Sequence, residues 1–195
     1  MLFRSLLHSE NEPVIDGSVA EIRAGKGVLF CRTMLPQGAV VEKIGGPGRE
    51  FWSNGRNWPI NPKFVAEREA AAEKFGMGPW FGAWRLAVRP PSEAKKDRFL
   101  HVINVSSDED GARAVESERV SDGREDGCVI RIPKAKVKGR VGTLVAEVRF
   151  ARDGEAAGRI SCKLLGKDGK TIASDTRRFA TGVQAQAGVF CRKGQ

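Results

Sequence analysis

Hydrophobic and polar residues alternate along most of the chain, and strands are the elements this predicts. Pro13 to Leu35 reads as two of them, VIDGSVAEIRAG and KGVLFCRTML, separated by Gly25-Lys26-Gly27. Val19, Glu21 and Arg23 set against Ala20, Ile22 and Ala24 fit a half-buried strand with one face in a core. Gly38 to Ile44, GAVVEKI, gives another strand, closed by Gly45-Gly46-Pro47-Gly48. WFGAWRLAVRPP, with Trp80, Trp84, Leu86 and Val88, and then DRFLHVINVSS, predict a strand pair joined by the polar connection Ser92 to Lys96.

From Cys128 the alternation resumes in CVIRIP, VGTLVAEVRFARDG and GRISCKLLGKDGKTIASDTRRF, with Asp153-Gly154 and Asp168-Gly169 as hairpin signals. Between these regions lies SDEDGARAVESERVSDGREDG, almost without apolar residues, which is either a solvated loop or holds a short strand at Ala112 to Val120. One helix is expected, between Pro62 and Gly76, rich in Ala and Glu, with Phe64, Val65, Ala72 and Phe75 as its apolar positions. Short strands at intervals near ten residues imply an all-β fold, an antiparallel β-sandwich with one short helix. A boundary near residues 106–127 divides it into 1–105 and 106–195.

Composition narrows the picture modestly. A chain of 195 residues can bury a substantial core, and no segment approaches the roughly 20 apolar residues of a membrane span. Met1 to Leu7 is followed at once by the polar run His8 to Glu12, so no secretory signal is expected. Charge is more informative than size. The net +9 is uneven: residues 1–105 carry +4, 106–127 carry −5 and 128–195 carry +10. The last third would attract a polyanion, or is simply a soluble basic surface. Among polyanions, nucleic acid ranks below carbohydrate, because that third holds only Phe150, Phe179 and Phe190 for stacking on bases.

Four cysteines stand far apart at positions 31, 128, 162 and 191, without metal-finger spacing. Cys31 and Cys162 sit in strand-like alternation, where a thiol serves as a small hydrophobe, and Cys191 is expected to be exposed. The chain has no tyrosine and two histidines. His101, in FLHVI, reads as a structural residue, whereas His8 lies among polar neighbours just before the glycine loop. No nucleophile elbow, phosphate loop or dinucleotide fingerprint occurs, and GGPGRE lacks the lysine and hydroxyl of a phosphate loop. Trp80 and Trp84 are candidate core residues. Trp52 and Trp58 flank SNGRN, where indole faces with Asn54, Arg56 and Asn57 could hold a sugar ring while Arg49 or Arg56 pairs a carboxylate or sulfate.

LLHSENEPVIDG, MLPQGAVVEKIGGPGREFW, NGRNWP, WRLAVRPP and DRFLHVINV, in this order, resemble the β-sheet half of the heparinase II/III-like polysaccharide lyases. The resemblance spans roughly residues 3 to 105. It implies a supersandwich-like sheet domain there, followed by a smaller C-terminal β-sandwich over 106–195. It also implies β-elimination on a uronate-containing anionic polysaccharide: a base removes the C5 proton, the adjacent carboxylate is neutralised, and an acid protonates the leaving O4. In the family these roles fall on a tyrosine and histidines supplied largely by an N-terminal α/α toroid, which is absent from this sequence.

The expectation is therefore the C-terminal part of a lyase, not catalytic alone, with a periplasmic or secreted location implied by the family. His8 matches the family histidine of Leu-Leu-His-Ser, implied as a metal ligand for zinc in the complete protein; this chain alone is expected to bind no cofactor. The alternatives are a stand-alone carbohydrate-binding β-sandwich and a basic module for nucleic acid or a protein partner.

Overall fold

The structure, a computed structural model, describes residues 5–59, 61–75, 83–93, 95, 97–107, 111–151 and 158–179. Among the described residues it is all-β and antiparallel, with one helix. The chain divides into two compact units, Met1–Ala114 and Val115–Gln195.

The first unit is a sandwich of two sheets. Strands β1 (Ser5–Ser9), β5 (Val40–Gly45) and β8 (Trp84–Arg89) form one sheet in the order β1-β8-β5. Strands β2 (Val14–Asp16), β3 (Val19–Ala24), β4 (Gly27–Leu35) and β9 (Leu100–Ser107) form the other in sequence order. Alternation decides which side chains meet. Ala20 and Cys31, directly opposite on β3 and β4, pack with Leu86 of β8, and Leu7, Ile15, Leu29 and Val41 close around them. Leu86 is 1% exposed, so truncation to alanine would cost about 2–5 kcal/mol. Strand β9 is an edge, and its Ile103 and Val105 remain exposed although they share a face with Cys31 and Leu29.

Two expectations change here. VIDGSVAEIRAG is two strands rather than one: Gly17, at φ +55°, turns the chain so that Asp16 pairs with Val19. WRLAVR and LHVINVSS are not partners. Strand β8 already has β1 on one side and β5 on the other, so its hydrogen bonds are taken, and β9 pairs with β4 in the opposite sheet. Neither flanking strand is near β8 in sequence, and local alternation contains no information about them.

A two-stranded ribbon, β6 (Trp52–Ser53) with β7 (Arg56–Asn57), precedes helix α1 (Pro62–Phe75). No helix among the described residues is long and apolar enough to cross a membrane.

In the second unit, β10 (Glu116–Ser121), β11 (Glu125–Val137), β12 (Arg140–Ala151), β13 (Gly158–Leu165) and β14 (Thr171–Phe179) form an up-and-down sheet in sequence order. The acidic stretch thus contains a strand, β10, shifted toward its C-terminal end. Ala135, Leu144 and Leu164 are the buried centre of one face, with Ile132, Val137 and Cys162 against them. A bulge between Ile132 and Ala135, with Lys134 at φ +55°, inserts one residue and keeps Ala135 on that face. Asp168-Gly169 forms the β13–β14 turn, closed by Gly166 N–H donating to the Lys170 carbonyl at 2.8 Å. Trp80, Asp153-Gly154, Cys191 and the side chains of Phe64, Ala72 and Phe75 lie outside what is described. Cys31 and Cys128 are buried free thiols, and burial pushes both up from the ordinary thiol value.

Candidate functional site

The segment from Gly45 to Trp58 is built as a folded loop on one end of the β1-β8-β5 sheet. Its first step is a close approach of backbone to backbone. A Cβ on Gly45 would stand 2.2 Å from the Ala83 carbonyl oxygen, and one on Gly46, at φ +84°, would stand 2.9 Å from the Trp84 indole. Glycine at both positions lets the loop lie flat on β8, where the Gly46 N–H donates to Ala83 at 3.0 Å.

The loop then turns back. Arg49 N–H donates to the Gly46 carbonyl at 2.9 Å, and Trp52 N–H to the Arg49 carbonyl at 3.2 Å. The Glu50 carboxylate accepts the Gly48 N–H at 3.0 Å. Its own amide and that of Gly48 hold this carboxyl below the usual glutamate value.

Asn54 and Gly55, at φ +51° and +79°, form the two-residue turn between Ser53 and Arg56. This is the Asn-Gly hairpin pattern, with both central residues left-handed. Asn54 is therefore the exposed tip of the turn. Asn57 is half-buried and works inward, its Oδ1 accepting the Phe51 N–H at 2.8 Å. Trp58 continues the brace: its N–H donates to Phe51 at 3.3 Å and its Nε1 to the Ser53 carbonyl at 3.1 Å.

Two cation–π pairs cover this ribbon. The Arg56 guanidinium lies 3.5 Å from the centroid of Trp58, and that of Arg49 lies 4.5 Å from Trp52. Each indole therefore has one face already occupied by a guanidinium, which the sequence did not reveal. An open cleft of about 440 Å³ runs between the ribbon and α1, lined by Phe51, Asn57, Trp58 and Pro59 on one side and by Pro62, Val65, Ala66 and Glu69 on the other, with Glu50 at its margin. Of the residues singled out from the sequence, Asn57 and Trp58 line this cleft, Arg56 stacks on its Trp58 wall, and Arg49, Trp52 and Asn54 belong to the same folded segment.

Arg85 is the residue that local sequence reasoning passed over. Its Nη2 donates to the Trp52 carbonyl and ties the ribbon to β8. Within WRLAVR the alternation already put Arg85 on the face opposite Leu86, and that was the available signal. His8 is directly opposite Arg85 on β1 and is exposed. Its cross-strand neighbour is thus a cation, and among the described residues no three His, Cys, Asp or Glu side chains are grouped to hold a metal ion. These residues by themselves do not make a zinc site.

His101 is engaged on both sides. Nδ1 lies 3.2 Å from Thr33 Oγ1 and Nε2 lies 3.0 Å from Ser5 Oγ, so the ring bridges the two sheets, and Phe99 stacks on it with centroids 6.4 Å apart. Burial lowers its pKa from the ordinary histidine value.

Chemically, the segment presents fixed guanidinium forks on aromatic plates beside an apolar cleft. That combination suits a ligand with sugar-like faces and carboxylate or sulfate groups. No protein-family model matches the chain, and no curated protein matches it.

Proposed function

We propose that this chain is the C-terminal β-part of a heparinase II/III-like polysaccharide lyase, forming a wall that holds uronate-containing anionic polysaccharide while the bond-breaking groups come from an α/α toroid. The observation that carries the reading is the Arg56 guanidinium stacked on Trp58 at the cleft. A guanidinium held on an indole keeps its edge donors free for a carboxylate while its orientation is fixed.

The way the resembling motifs depend on one another adds support. The Leu-Leu-His-Ser strand pairs with the Trp-Arg strand, the Gly-Gly-Pro-Gly loop rests on Trp84, Arg85 ties down the Asn-Gly ribbon, and His101 of the Phe-Leu-His strand reaches Ser5. Segments far apart in sequence make one interlocked unit.

β-Elimination needs a base at C5, charge neutralisation at the uronate carboxylate and an acid at O4. The chain has no tyrosine. Its arginines serve binding and neutralisation, and no proton-transfer step is assigned to its own residues.

Affinity electrophoresis through gels containing heparin or alginate tests the reading. Arg56→Ala is expected to weaken retardation several-fold, and unchanged retardation would overturn the assignment of the cleft. Ultraviolet absorbance should show no unsaturated product from the chain alone, whereas turnover would overturn the claim that it lacks the catalytic groups. A stand-alone carbohydrate-binding module is the alternative on the same surface. A reading frame that continues upstream of Met1 into helical sequence with tyrosine and histidine supports the lyase part, and a stop codon directly upstream favours the stand-alone module.

A further inference from the structure

Three arginines stand side by side on one face of the Val115–Gln195 sheet. Arg149 on β12 is directly opposite Arg159 on β13, which is directly opposite Arg178 on β14. Neighbours in such a row have Cβ atoms about 5 Å apart, and like charges so placed destabilise the sheet.

Among the described residues, acids compensate the row unevenly. Arg149, whose side chain is 18% exposed, pairs with Glu147 and, at 3.0 Å, with Asp122. Arg159, at 46%, pairs with Glu125 at 3.2 Å. Arg178 is exposed, and no described acid lies within ion-pair distance of it. The same face of β13 and β14 continues as Ser161 opposite Thr176 and Lys163 opposite Ser174. Along β13 cations and a hydroxyl alternate, and β14 adds two hydroxyls, while the described acid nearest in register on this face, Glu147 of β12, lies opposite Ser161 and pairs with Arg149.

We propose that this β13–β14 face is a second binding surface, for the carboxylate or sulfate groups of an anionic polysaccharide. Bound anions would supply the compensation that Asp122 and Glu147 give Arg149 and that no described acid gives Arg178. Charge on an edge strand also discourages sheet-to-sheet association, which accounts for arginine on β14. It does not account for Arg159 directly opposite, on a strand paired on both sides.

Nucleic acid fits less well. This face of β12, β13 and β14 carries no aromatic residue among the described positions, so bases would have no stacking platform. The hydroxyls of Ser161, Ser174 and Thr176 suit a hydroxyl-rich chain that offers both donors and acceptors.

Salt elution from a heparin column, with the full chain, tests the surface. Arg159→Gln with Arg178→Gln is expected to lower affinity about tenfold at fixed salt, through loss of two counterion-releasing contacts. Lys136→Gln with Lys138→Gln removes the same charge at the far β11–β12 hairpin and should have a much smaller effect. Equal losses from the two pairs would reduce the binding to overall charge and overturn the proposal. So would competition by duplex DNA as strong as that by heparin at equal charge concentration.

Thermal unfolding provides the second readout. Relief of the like-charge row predicts that Arg178→Gln leaves the melting temperature unchanged or raises it, and a marked fall would make the row structural and overturn the proposal. Arg56→Ala acts on the other unit, so failure of the cleft and failure of this surface are read separately.

Discussion

The Ala83 carbonyl oxygen occupies the space where a Cβ of Gly45 would lie, with only 2.2 Å between them. The carbonyl belongs to backbone beside a central strand and cannot swing away, and Gly45 itself sits at φ +153°. Gly45→Ala therefore meets overpacking and backbone strain together, for an expected loss of about 3 kcal/mol or more in urea unfolding. Gly48→Ala is the comparison, because φ there is +77° and nothing lies within 4 Å of the added carbon. It should cost only the left-handed strain, about 1–2 kcal/mol. Equal losses at the two positions would show that contact with β8 does not dictate glycine at Gly45.

Arg85 makes a charged hydrogen bond to the Trp52 carbonyl, an interaction of about 1.5–3 kcal/mol. Arg85→Ala should therefore loosen the ribbon locally. Amide exchange at Phe51 and Trp58, whose N–H groups bond within the loop, is expected to speed up about tenfold, while Cys31 and Leu86 in the sandwich core keep their protection. Uniform acceleration across both sheets would instead make Arg85 a global support.

Period-two alternation was enough to locate most of the strands, because a sandwich must put every second side chain inside. It could not assign partners. WRLAVR reads the same whether its neighbours are β1 and β5 or β9, since the decision rests on which edges are left open by strands distant in sequence. At the site, the Gly45–Trp58 segment stood out through its glycines, tryptophans and arginines, and these do form one folded loop. The roles within it were less legible. Asn57 offers an amide that the sequence suggests for a ligand, yet its Oδ1 is taken by the Phe51 N–H. The guanidinium over Trp58 depends on the Asn54-Gly55 turn, which sets Arg56 and Trp58 in place and is visible only once the ribbon is closed.

His101 supplies a pH dependence whose sign follows from its surroundings. Neutral imidazole offers one donor and one acceptor, and the hydroxyls of Thr33 and Ser5 can accept or donate as needed, so either tautomer is satisfied. The cost of protonation is desolvation, since the ring is half-buried between the sheets with Thr33 7% exposed beside it. The folded-state pKa is therefore below the ordinary value of 6.5. As pH falls through 6.5 the unfolded chain takes up the proton first, and this contribution to stability, fully present above that pH, is lost until the folded value is reached. Urea midpoints should thus decline between pH 7.5 and about 5.5, before the bulk of the carboxylates titrate. His101→Gln, measured in a His8→Gln background beside the His8→Gln chain itself, should flatten that decline while lowering stability at pH 7.5 by about 1–2 kcal/mol through imperfect replacement of two hydrogen bonds. A decline of the same steepness in both chains would assign the acid sensitivity to other groups.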